Sequence, residues 1–357
     1  MTREYTDLIY LTACLINDSI PDKDQFDEHN LDRLFRAAEY QQLTSITSCA
    51  LQKAGISDER FEDASSEAIF KQILHDEDRE RITSAFENAG IWYMPLKGVV
   101  IKDLYPYPDL RQMADNDILF DASRAADVRG IMEELGYETV HFNTGHQDDY
   151  CKLPALHFEM HRKLFDSTLT LFYRYFNDIK SRLIRVEGRE YEYCFSQEDF
   201  YVYLIAHLFK HYYWEGVGLK SLLDVYVYLR HYSQKLDWDY LDAAFRDLGI
   251  EAFEKRTRAL ASKTFSGKSL DCLTKKEKKM LDQIILKGDF TTFDETVNDP
   301  GVLKQFLHRS FLPLEAVKVS YPSFYKYRVL IPFLPVYRLT TRWGRAKAEI
   351  KSIIRRR

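Results

Sequence analysis

Apolar and polar positions along the chain change period twice. Up to about residue 88, apolar residues recur at helical spacing between polar breaks such as residues 19–22, and residues 27–36 read as a capped, amphipathic segment. The pattern over 69–89 predicts one long helix that Gly90 ends. The spacing then shortens. Ile118, Leu119 and Phe120 form the apolar run of a buried strand, and over 156–161 apolar Leu156, Phe158 and Met160 alternate with His157, Glu159 and His161. Between them, residues 123–135 predict a helix capped near Asp121 and closed by Gly136, residues 137–142 a strand, and 143–149 a polar loop in which Asp148 and Asp149 are solvated. Residues 181–187 and 191–195 read as two more strands around the turn Gly188-Arg189. Helical spacing returns over 199–213 and 218–232 and continues to about 297, where Lys275, Lys276, Lys278 and Lys279 mark an exposed surface.

Composition adds bounds to this outline. The 357 residues exceed one average domain, and 45% hydrophobic with 29% charged residues is the balance of a globular protein. Five cysteines, odd in number and without paired short spacing, argue against a disulfide framework or a cysteine zinc site and suit a reducing cytoplasm. The first apolar run is short and broken by threonine, unlike a signal or a spanning helix. Charge is unevenly placed: residues 318–357 carry 4 Lys and 7 Arg against Glu349 alone, about +10, which leaves about −15 on the remainder of a chain whose net charge is −5. So acidic a body carries no strong nucleic-acid signature. The basic end, with Pro322, Pro332, Pro335, Tyr337 and Trp343, is read as lying on anionic lipid in peripheral membrane contact, engaging RNA, covering a partner, or docking on the protein itself as a helix with a basic outer face.

The candidate chemistry lies between Ile91 and Phe120. Asp115 and Asp117, two apart at a strand edge, put both carboxylates on one face, within reach of one or two cations. Mg²⁺ is commonly held by one or two carboxylates together with substrate phosphates. Upstream, Lys97-Gly98 reads either as a plain tight turn or as a strand-to-helix turn where phosphate approaches backbone amides and a lysine supplies charge. His207 and His211, one helical turn apart, are read as packing the helix against this region.

The ordered set Leu96, Lys97, Gly98, Tyr105, Pro106, Arg111, Asp115 and Asp117 resembles the signature of the uncharacterised nucleotidyltransferase family, within the superfamily related to DNA polymerase β. Asn116 departs from the family's apolar residue and is expected to point away from the metals. The resemblance implies an α+β fold, with a nucleotidyltransferase-type mixed β-sheet core and helical N- and C-terminal subdomains. The expected division is 1–88 helical, 89–197 catalytic core, 198–300 helical, and 301–357 a basic segment with prolines and aromatics. It calls for a third carboxylate on a neighbouring strand, which falls on Glu159, with His161 orienting it; a zinc site of His157, Glu159 and His161 is the rival reading. Two Mg²⁺ ions, with Mn²⁺ as substitute, are then expected on Asp115, Asp117 and Glu159. Lys97, Gly98 and Arg111 are expected at the nucleotide, ATP being the expected triphosphate. Lys220 is read either as a triphosphate contact or as the ion-pair partner of Asp224. The implied reaction transfers a nucleoside monophosphate to a hydroxyl of a small-molecule, sugar or protein acceptor. The alternative function is a non-catalytic scaffold of the same fold, recruited by its basic tail.

Overall fold

The computed structural model describes residues 1–288 and 312–341. The expected helix over 289–297 and the end of the basic tail, residues 342–357, lie outside the described residues. Four helices open the chain: α1 (Arg3–Ile16), α2 (Glu28–Tyr40), α3 (Thr44–Lys53) and α4 (Glu59–Ala89). The Asp27 carboxylate caps α2 by accepting from the Asn30 amide at 2.9 Å. Helix α4 starts ten residues before the expected position because Asp58 caps it there, and it ends at Gly90, whose φ of +65° is the left-handed stop.

A five-stranded sheet follows, built from β1 (Tyr93–Pro95), β2 (Asn116–Phe120), β3 (Glu138–His141), β4 (Gln147–Lys152) and β5 (Leu156–His161) in the order β1-β2-β5-β4-β3. The central pair β2 and β5 is parallel and the other neighbours are antiparallel. With helices before and after it, this mixed sheet is the α+β arrangement that the sequence implies. Two short helices, α5 (Gly98–Ile101) and α6 (Ala125–Glu134), lie in its connections. Strand alternation divides the side chains. Ile118, Phe120, Phe158 and Met160 pack with Ile82 and Phe86 of α4 and Val128 and Met132 of α6, whereas Leu119 joins a second core formed mainly by helices.

That second core comes from both ends of the chain. After α7 (Thr170–Tyr175) run α8 (Gln197–Lys210), a single π-helical turn (His211–Glu215), α9 (Leu219–Tyr232), α10 (Trp238–Asp247), α11 (Glu251–Phe265) and α12 (Lys275–Lys287). Leu8 and Leu11 of α1 and Leu34 of α2 are buried in one cluster with Leu222, Leu260 and Ile284. Polar contacts tie the same helices: the Gln41 amide donates to the Ile285 carbonyl at 3.0 Å and accepts from the Leu219 amide at 2.7 Å. Helix α4 spans both cores, with Phe61 in the helical one and Ile82 and Phe86 under the sheet.

Two expectations are corrected. Residues 147–149 are not a solvated loop but the start of β4, where Asp148 is fully buried, accepts from the Asn143 amide at 2.7 Å and pairs with Arg162 at 3.2 Å. The polarity of 143–149 hid a strand hydrogen-bonded on both edges. The strands expected over 181–187 and 191–195 shrink to a ribbon of β6 (Ile184–Arg185) and β7 (Tyr193–Cys194), because a 3-10 turn occupies Ile179–Arg182. Among the described residues no helix is long and apolar enough to cross a membrane.

Candidate active site

The site lies on the sheet face turned toward the helical core. Residues alternate across a strand, so Asp117 on β2 and His157, Glu159 and His161 on β5 emerge opposite the apolar face under α4. The parallel register sets Asp117 beside Glu159. Asp115 precedes β2 by one residue and also approaches Glu159. One ligand atom each from Asp115, His157 and Glu159 lie within 4.8 Å of one another, as do those from Asp117, Glu159 and His161. Asn116 takes the opposite face, as expected. It is buried, contacts the His75 ring and accepts from Arg79 at 3.2 Å, so a polar residue there is satisfied by α4.

The two aspartates differ electrically. Burial raises the Asp115 carboxyl, the neighbouring charges of Asp117 and Glu159 add to it, and Lys97 and Lys220 only partly offset them, giving a value of about 6. Asp117 is also penalised by burial, yet Lys97 and the hydrogen bond from His161 outweigh this and hold it well below the usual carboxylate range. The contacts are close: Lys97 Nζ lies 2.9 Å and His161 Nε2 2.7 Å from Asp117 Oδ1. Burial works against charge on His161, but its bonds to Asp117 and Glu159 raise it above the ordinary imidazole value. His161 therefore orients Asp117 first and Glu159 second, the latter at 3.5 Å. Its Nε2 is engaged by carboxylates, which makes it a positioning group, and His157 and His161 fall in separate groups about Glu159, so the three do not gather as one zinc site.

The Lys97-Gly98 turn has a specific construction. Lys97 adopts φ +44° and ψ −112°, a costly conformation for a residue with a side chain, and its ion pair with Asp117 fixes it there. At Gly98, an added Cβ would meet Arg111 Nη1 at 2.3 Å. Glycine is needed for that close approach rather than for its φ. Arg111 is held in turn by a bidentate pair with Asp224 of α9, both bonds 2.8 Å, and Asp224 also accepts from the Tyr105 hydroxyl at 2.7 Å. Thus the Tyr-Pro segment and the arginine of the motif meet one buried carboxylate.

A cleft opens beside these residues, lined on one side by Lys97, Gly98, Arg111, Asp115 and Asp117 and on the other by His207, His211 and Lys220. Lys220 donates to the Gln112 carbonyl at 3.3 Å and to the side chain of Gln42, and its charge reaches Asp115. His207 and His211 bring their Nε2 atoms to 2.8 Å, and His211 Nδ1 lies 2.9 Å from Glu215 within the π-helical turn. Burial and the nearby Lys97 charge keep His207 neutral, well below the ordinary imidazole value. The sequence placed both histidines against this region correctly but gave no sign of the π-turn or of Asp224 as Arg111's partner, since neither follows from local spacing.

A divalent cation fits this donor set. Two groups share Glu159, one adding Asp115 and His157 and the other Asp117 and His161, and the carboxylate oxygens of both suit Mg²⁺ or Mn²⁺. In comparison with known proteins, the family model described as uncharacterised nucleotidyltransferase matches residues 27–266, from the start of the α2 cap to the end of α11. No curated protein and no solved structure matches the chain.

Proposed function

Because this chain belongs to the uncharacterised nucleotidyltransferase family, we propose that it transfers a nucleoside monophosphate, expected to be AMP from ATP, to an acceptor hydroxyl. The observation that carries the reading is the register pairing of Asp117 with Glu159, which Asp115 also approaches, beside a cleft walled by Lys97 and Lys220.

Asp115, Asp117 and Glu159 would hold Mg²⁺, which when bound offsets charge on the triphosphate and acidifies the attacking hydroxyl. Glu159, on the strand next to the aspartates, is suited to accept the hydroxyl proton as the oxygen bonds to the α-phosphorus. The bond from the α-phosphorus to the bridging oxygen then breaks, and pyrophosphate leaves. Lys97 orients Asp117 and stands where its charge reaches the phosphates; Lys220 supplies charge from the opposite wall. Gly98 leaves the turn open to close approach. Arg111 acts through Asp224 to fix that turn, so its part is to position rather than to clamp phosphate.

The test uses ATP labelled at the α-phosphate, then at the γ-phosphate, with Mg²⁺ and pools of small molecules, sugars and proteins. The proposal predicts α-label retained on an acceptor, stoichiometric pyrophosphate, and loss of both by at least about a thousandfold in Asp115→Asn or Asp117→Asn. Retention of γ-label instead, or unchanged transfer in those variants, would overturn it.

A further inference from the structure

Residues 312–341 leave the helical body in two stages. The helix Leu314–Ser320 is docked: Ala316, Val317 and Val319 are fully buried, Glu315 pairs with Arg256 at 2.8 Å, and Thr170 donates to the Ser320 carbonyl at 2.9 Å. Beyond Tyr327 the pattern inverts. Val329 is 78% exposed, Phe333 64% and Val336 62%, with Tyr327, Leu330 and Tyr337 also exposed, whereas Leu334 turns inward at 2%. Val329, Leu330, Phe333, Val336 and Tyr337 form an exposed apolar stripe along the consecutive 3-10 turn Arg328–Phe333 and helix Leu334–Thr341. Large apolar side chains grouped on a surface mark a contact site, unlike single scattered ones.

Charge selects the partner. Residues 321–341 contain Lys326, Arg328 and Arg338 and no acid, and the sequence that follows adds seven cations against Glu349. Two copies of this stripe placed face to face would bring like charges together. Nucleic acid would use the cations but leave Val329, Leu330 and Val336 without a role, because single strands are bound by stacking on aromatics. An anionic bilayer uses both: apolar side chains enter the acyl boundary, Tyr327 and Tyr337 suit the interface, and lysine and arginine meet the headgroups. We infer that the 327–338 stripe is a surface for peripheral binding to an anionic phospholipid bilayer. This goes beyond the catalytic reading and does not depend on it.

The experiment sediments the full chain with vesicles of phosphatidylcholine alone and of phosphatidylcholine containing about 30% phosphatidylserine. The protein is expected to pellet with the anionic vesicles only and to be released as salt rises. Phe333→Asp with Val336→Asp is expected to weaken binding about tenfold or more, and Lys326→Gln with Arg328→Gln to weaken it to a lesser degree. All four side chains lie on the surface, so both variants are expected to keep the wild-type unfolding midpoint; the second also tests the surface with its apolar residues intact. Equal pelleting with neutral vesicles, equal pelleting of the variants, or no pelleting at all would overturn the inference. A dimer seen by light scattering and lost in Phe333→Asp with Val336→Asp, without vesicle binding, would assign the stripe to a second copy instead. Retention on RNA without vesicle binding would likewise overturn it.

Discussion

Asp115 is buried beside Asp117 and Glu159, and its raised value of about 6 comes first from that burial and then from the charges of its two neighbours. The folded protein holds this proton more tightly than the unfolded chain, whose aspartate titrates near 3.8, so the stabilising contribution is complete at low pH and is lost as pH rises through about 6. In chelator at pH 7.5, Asp115→Asn is therefore expected to be more stable than wild type by on the order of 1 kcal/mol, allowing for screening at a partly buried position. The difference should vanish near pH 4; equal denaturation midpoints at both pH values would contradict the assignment. Asp117 has the opposite character, because Lys97 and His161 already stabilise its charge. Each aspartate meets Glu159 in a separate group, and the sequence showed only that the two lie two residues apart. It could not assign their unequal charge states, because these come from a lysine twenty residues upstream and a histidine on another strand.

At the level of elements, the site depends on how one turn is braced. Gly98 lies against Arg111, and Arg111 is fixed by Asp224 of α9 and through it by Tyr105. An alanine at Gly98 would displace a guanidinium already held at two points, in a pair too buried to be rearranged at little cost. Gly98→Ala is thus expected to destabilise the protein by about 2 kcal/mol. Asp224→Asn should do so comparably, and the double variant by less than the sum. Additive effects in denaturant titrations would show that the turn and the ion pair are independent. Here the linear pattern was informative about order and silent about partners. It gave Lys97, Gly98, Arg111 and Asp115 in sequence, and it found the caps at Asp27 and Gly90, because those signals are local. Residues 147–149 were misread because a polar strand between two others carries no apolar alternation, and the 181–195 ribbon because β-rich composition does not measure strand length.

Across the whole molecule, the cleft exists because helices from both ends of the chain close over one face of the sheet. Gln41 and Gln42 near the start reach Leu219 and Lys220 of α9, and α1 is buried among α9, α11 and α12 although it precedes the residues matched by the family. Long-range packing of this kind was not legible in the sequence, whereas the mixed sheet and flanking helices were. What the assembly accomplishes, on this account, is to bring Asp115 and Asp117, at and within β2, against Glu159 of β5 for cation binding. The most direct measurement is titration of Mn²⁺ into the full chain, followed by the resonance of the free ion, with an ATP analogue that cannot be cleaved between the α- and β-phosphates. The account predicts nucleotide-dependent Mn²⁺ binding that weakens by at least about tenfold in each of Asp115→Asn, Asp117→Asn and Glu159→Gln. Binding of the ion by all three variants as tightly as by wild type would contradict it.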